Sequence, residues 1–115
     1  MIEESASAIT DARRNFATIS NVEIIASRVE RALRDIKNAD LVVLDPPRSG
    51  AGAKVITAIA NLSPRQITYV ACDPAALARD TAYLKEDGFK LAEIRAFDLF
   101  PMTHHVECVA RFIPA

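Results

Sequence analysis

The sequence predicts an α/β fold: a parallel sheet with crossover helices that ends in an antiparallel strand pair. Three observations carry that reading. Short apolar runs alternate with segments of helical periodicity along the chain. The runs 41–44 and 67–71 are apolar at nearly every residue, the pattern of strands buried on both faces of a parallel sheet. No helical segment separates the runs 91–97 and 105–112, so these two strands are expected to pair antiparallel. The 115 residues fit one globular domain, and 50% hydrophobic against 25% charged residues suffices for a core.

The elements follow in order. Residues 4–16 carry Ala8, Ile9, Ala12 and Phe16 at helical spacing, and 22–25 is a short strand. Ser27 and Glu30 form the spacing of a capping box, with Val29, Leu33 and Ile36 on the buried face of the helix behind it. The strand 41–44 is expected to be fully buried. It ends at Asp45-Pro46-Pro47-Arg48-Ser49-Gly50, and a helix follows over 53–60 with Val55, Ile56 and Ile59 for packing. The strand 67–71 ends at Cys72. Asp73 caps the next helix, Pro74 suits its first turn, Leu77, Thr81 and Leu84 share its face, and Gly88 ends it.

Composition narrows the function. A net charge of −1 argues against a free-standing nucleic-acid binder, although an enzyme acting on nucleic acid with another domain remains compatible. Arg13, Arg14, Arg28, Arg31, Arg34 and Lys37 read as solvated helix faces. Two cysteines build no disulfide framework, which suits a reducing cytoplasmic setting. Cys72, Cys108, His104 and His105 lack the paired spacing of a metal site, so no metal is expected. No run approaches the ~18 apolar residues of a membrane span. The three glycines, Gly50, Gly52 and Gly88, form no glycine-rich turn for a nucleotide cofactor.

Ligands of open α/β sheets bind outside the carboxyl ends of the strands. There lie Asp45–Gly50 and Cys72–Asp73. His104, His105 and Glu107 open the last strand, whose start falls at the same edge if it runs antiparallel. Cys72 reads either as a small buried hydrophobe or as a nucleophile, since a helix N-terminus stabilises a thiolate. Glu107 shares strand parity with His105 and Val109, and reads as solvent-exposed or as a general base. Asp45 reads as a turn residue or as part of a pocket. Cys108 belongs with Val106 and Ala110 in the core.

Taken together, the segments 45–50, 69–80 (Tyr69-Val-Ala-Cys-Asp-Pro-Ala-Ala-Leu-Ala-Arg-Asp80) and 97–108 (Phe97-Asp-Leu-Phe-Pro-Met-Thr-His-His-Val-Glu-Cys108) resemble the RNA 5-methyluridine methyltransferases over essentially the whole chain. That resemblance implies S-adenosylmethionine as cofactor and C5 of uracil in ribosomal or transfer RNA as substrate. It implies Cys72 as the nucleophile at C6 and Glu107 as the base for the C5 proton. Asp45 then contacts the cofactor, Glu3 holds its ribose, and Pro46, Arg48 and His105 line the substrate pocket. Arg48 stands where amino-group methyltransferases carry an aromatic residue and cytosine-C5 enzymes a cysteine.

The resemblance also implies a partial class I, Rossmann-like methyltransferase fold. Residues 1–115 correspond to the C-terminal part of the catalytic domain and lack the family's first strand and glycine-rich loop. That strand is central in the family, so its absence is expected to leave a gap in the sheet or force a rearrangement. The upstream part of a longer chain, or another copy of the fragment, becomes an expected partner. A second reading follows from the same absence: a non-catalytic α/β module with a folding or association role, inactive in isolation.

Overall fold

In the computed structural model, residues 1–115 are all described and form an α/β fold. The chain divides into two compact units, Met1–Ile36 and Lys37–Ala115. No helix is long and apolar enough to cross a membrane.

In the first unit, β1 (Ile2–Glu3) pairs in parallel with β2 (Ile25–Ala26), and α1 (Ala6–Asn15) connects them. Ser5 caps α1 by accepting from the Ala8 N–H, and Ile9 and Ala12 form its buried face as the periodicity predicts. Two expectations change here. The strand foreseen at 22–25 pairs only at Ile25–Ala26, because its partner is two residues long. The capping box does not form. The Ser27 N–H is still tied to the Glu3 carbonyl at 3.0 Å, so the cap moves on to Arg28, and the Ser27 hydroxyl donates instead to the Arg28 carbonyl. The resulting α2 (Val29–Ala32) is one turn, with Ala32 and Leu33 buried and Val29 exposed.

The second unit is a four-stranded sheet in the order β3-β4-β6-β5, formed by β3 (Leu41–Leu44), β4 (Gln66–Ala71), β5 (Phe89–Phe97) and β6 (Glu107–Pro114). β3 and β4 are parallel, and β6 runs antiparallel to both β4 and β5, as the missing helix between the last two runs predicts. The strands of the molecule thus fall into two separate sheets, one in each unit.

The crossover helices are α3 (Ala53–Ala60) and α4 (Pro74–Glu86). α3 packs on α4, and α4 packs on β4 and β5. Ile56 and Ile59 are the buried positions of α3; Ala76, Leu77, Asp80 and Leu84 are those of α4. Gly88, at φ +88°, takes the left-handed position just beyond the end of α4.

Register assigns one row of residues to the covered face: Ile67, Tyr69 and Ala71 of β4 against Phe112, Ala110 and Cys108 of β6, all buried. The opposite row, Leu41, Val43, Thr68, Val70, Val109 and Arg111, is half-buried or exposed. A bulge at Ala92 shifts the β5 register so that Glu93, Arg95 and Phe97 join this open face. On it Arg95 donates to Glu93 at 2.7 Å, and this bond and charge hold the Glu93 carboxyl below the usual carboxylate range.

The main correction concerns β3. Expected to be buried on both faces, it leaves Leu41 59% and Val43 73% exposed. It is the edge of its sheet, and the row that carries these two side chains is the open face. Truncation should therefore cost very different amounts at two apolar sites. Leu84→Ala is expected to cost about 2–5 kcal/mol in denaturant unfolding. Val43→Thr should change stability by less than about 0.5 kcal/mol. Equal costs would contradict this assignment of core and open edge.

Candidate functional site

Three strand ends meet at one edge of the second unit. β4 delivers Cys72 immediately after its last paired residue, Ala71, which lies opposite Cys108. Cys72 follows the end of β4 and Glu107 opens β6, so the two residues adjoin the terminal Ala71–Cys108 pair of the ladder. Strand alternation gives Glu107 the parity of Val109, the open face. Cys72 and Glu107 are both half-buried. Phe97 of β5 pairs with Glu107 from the other side.

The loop after β4 is fixed by the start of α4. Asp73 Oδ1 accepts from the Ala76 N–H at 2.9 Å, and Pro74 occupies the first turn, as the sequence predicts. The residue ahead of this cap is Cys72, so the thiol lies beside the N-terminal end of a 13-residue helix.

β3 runs parallel to β4, so its C-terminal loop emerges at the same edge. Asp45 and Arg48 are exposed there and Pro46 is half-buried. His105 is placed differently from the expectation. It lies in the segment before β6 rather than on the strand, half-buried, with its ring 4.4 Å from that of His104. The ladder begins only at Glu107, whose partner on β5, Phe97, is the last residue of that strand.

Glu3 ends β1 in the first unit. Its Oε1 accepts from the N–H groups of Glu4 at 2.9 Å and Ser5 at 2.7 Å, which fixes the carboxylate at the strand end ahead of α1.

One group escaped the sequence reading. Asp80 is wholly buried on α4. Its Oδ2 accepts from the Tyr69 hydroxyl at 2.6 Å and from the Ala51 N–H at 2.6 Å, and its Oδ1 from the Gly52 N–H at 3.3 Å. Burial, then the bond to this carboxylate, push ionisation of the Tyr69 hydroxyl above the usual tyrosine range. The signal was present in the sequence. Leu77, Asp80 and Leu84 have the i, i+3, i+7 spacing of one helix face, so an acid stands within an apolar stripe.

Comparison with known proteins identifies a family for the chain. The family model described as tRNA (Uracil-5-)-methyltransferase matches residues 2–112. An uncharacterized RNA methyltransferase of Streptomyces avermitilis is 53% identical over 99% of this chain, which spans 27% of that relative. One from Streptococcus mutans is 42% identical over 99% of the chain, again spanning 27% of the relative. Among solved structures, the tRNA (uracil-54, C5)-methyltransferase of Pyrococcus abyssi, in complex with S-adenosyl-L-homocysteine, superposes with a TM-score of 0.81. It is 34% identical, and the match covers 97% of this chain and 27% of that one. The N-methyltransferase NodS of Bradyrhizobium japonicum, at 16% identity and a TM-score of 0.73, shares the fold. The match runs along nearly the whole chain, and the chain belongs to the tRNA (uracil-5-)-methyltransferase family.

Proposed function

We propose that this chain forms the catalytic C-terminal part of an S-adenosylmethionine-dependent enzyme that methylates C5 of uracil in RNA, with Cys72 as nucleophile and Glu107 as base. The observation that carries the reading is the antiparallel β4–β6 register, whose last pair, Ala71 and Cys108, adjoins Cys72 and Glu107 at the carboxyl edge of the sheet.

C5 of uracil is a weak carbon nucleophile. Addition of the Cys72 thiolate to C6 breaks the C5–C6 double bond and moves electron density onto C5. S-adenosylmethionine, when bound, supplies the electrophilic methyl group. Glu107 then takes the C5 proton, the double bond re-forms, and the C6–S bond breaks to release the thiolate. Reaching both ring carbons requires the uracil to leave its stack. Pro46, Arg48 and His105 are the residues this reading assigns to the uracil pocket.

Two carboxylates suit the polar side of the cofactor. Glu3 is held in place by two backbone N–H groups and is suited to accepting from ribose hydroxyls. Asp45 emerges at the carboxyl end of β3. The chain contains no glycine-rich turn, and β3 has an open edge with apolar side chains exposed. Both features support an upstream segment of the complete enzyme as the partner that finishes the sheet and the cofactor site. The net charge of −1 supports a main RNA-binding surface on that upstream part too. Transfer RNA is the substrate class favoured by the family description and by the archaeal relative. Such a substrate, together with two free cysteines, supports cytoplasmic residence.

With RNA carrying 5-fluorouridine, the enzyme containing this chain should form a covalent adduct that maps to Cys72 by mass spectrometry, because fluorine cannot leave as a proton. Glu107→Gln should accumulate the same adduct on ordinary RNA. No adduct at Cys72, or normal turnover by Glu107→Gln, would contradict the assigned roles. In calorimetry, residues 1–115 alone should bind S-adenosylmethionine weakly or undetectably; micromolar affinity would show that the upstream segment is dispensable for the cofactor.

A further inference from the structure

The geometry points to Asp80 and Arg79 as positioning residues that clamp the loop between β3 and α3, and so direct Asp45 and Arg48 toward the site. The inference rests on the function proposed above for that loop.

The loop has little structure of its own. Across residues 45–52 one backbone hydrogen bond closes a turn, from the Gly50 N–H to the Pro47 carbonyl at 2.8 Å. β3 is an edge strand, so the loop leaves the sheet with a neighbour on one side only. Its remaining anchors come from α4. Asp80 accepts from the N–H groups of Ala51 and Gly52, and Arg79 donates to the Ser49 carbonyl while lying 3.6 Å from Asp80 Oδ1. Tyr69 of β4 holds the same carboxylate from the sheet side.

Gly50 is what lets this clamp close. It adopts φ +80°, and a Cβ there would lie 2.6 Å from Arg79 Nη2 and 2.7 Å from Asp80 Oδ2. A side chain at this position would push the loop off the clamp. α4 therefore starts beside Cys72 and, two turns later, grips the loop that carries Asp45 and Arg48. The helix ties the nucleophile and the loop to one rigid element.

Amide hydrogen exchange on the 115-residue chain reads the clamp without RNA or cofactor. In Asp80→Asn, exchange at Ala51 and Gly52 should rise by about tenfold or more, since the side chain keeps one acceptor oxygen where the carboxylate has two. Amides of β4 and β6 should keep their protection. Arg79→Ala, whose side chain is half-exposed, should retain the fold and shift the Ser49 and Gly50 resonances. Uniformly faster exchange across the sheet in Asp80→Asn, or an unchanged loop in both variants, would overturn the inference. In the complete enzyme, Asp80→Asn should raise KM for RNA or cofactor by about tenfold or more while Cys72 still forms the 5-fluorouridine adduct. Unchanged KM values would also overturn it. Absence of adduct in the unsubstituted enzyme would instead refute the methyltransferase reading and leave the exchange result standing.

Discussion

A single buried carboxylate joins the parts of the second unit. Asp80 lies on the inner face of α4, where charge is costly unless its hydrogen-bonding capacity is met. The Tyr69 hydroxyl and the N–H groups of Ala51 and Gly52 meet it, with Arg79 alongside. Strand, helix and loop therefore share one acceptor. The shape of the loop, the need for glycine at position 50 and the buried tyrosine in β4 all follow from that acceptor's position.

The same unit is unfinished on its other side. Rows of apolar residues alternate across a sheet, and one row here is covered by helices while the other is open. Leu41 and Val43 extend that open row to the sheet's edge. The chain spans 27% of the relatives named above, so a large share of their length lies outside the matched region. Cys72, Glu107 and the clamped loop belong to this chain, whereas no glycine-rich turn does.

Legibility in the sequence followed the range of the interactions. α3 was readable residue for residue because its apolar stripe is local, and the Asp73 cap of α4 because side chain and amide are three residues apart. β2 and the Ser27 cap were misplaced because a two-residue partner strand, far along the chain, decides where pairing stops. The burial of β3 was overestimated because an apolar run reports what a strand is built to bury, whatever lies beside it. At the site, the motifs singled out Cys72 and Glu107 as candidates, but the pairing of Ala71 with Cys108 beside them depends on a register that only the folded sheet provides. Asp80 was visible as an acid in an apolar stripe, yet its partners are 11 and 29 residues away.

The central claim is that the Asp80 carboxylate binds strand to helix through Tyr69. A double-mutant cycle of Tyr69→Phe and Asp80→Asn, read by equilibrium unfolding, measures that link directly. The structure predicts a coupling energy of about 1–3 kcal/mol, as for residues sharing one buried hydrogen-bond network. Additive costs, with coupling near zero, would contradict it.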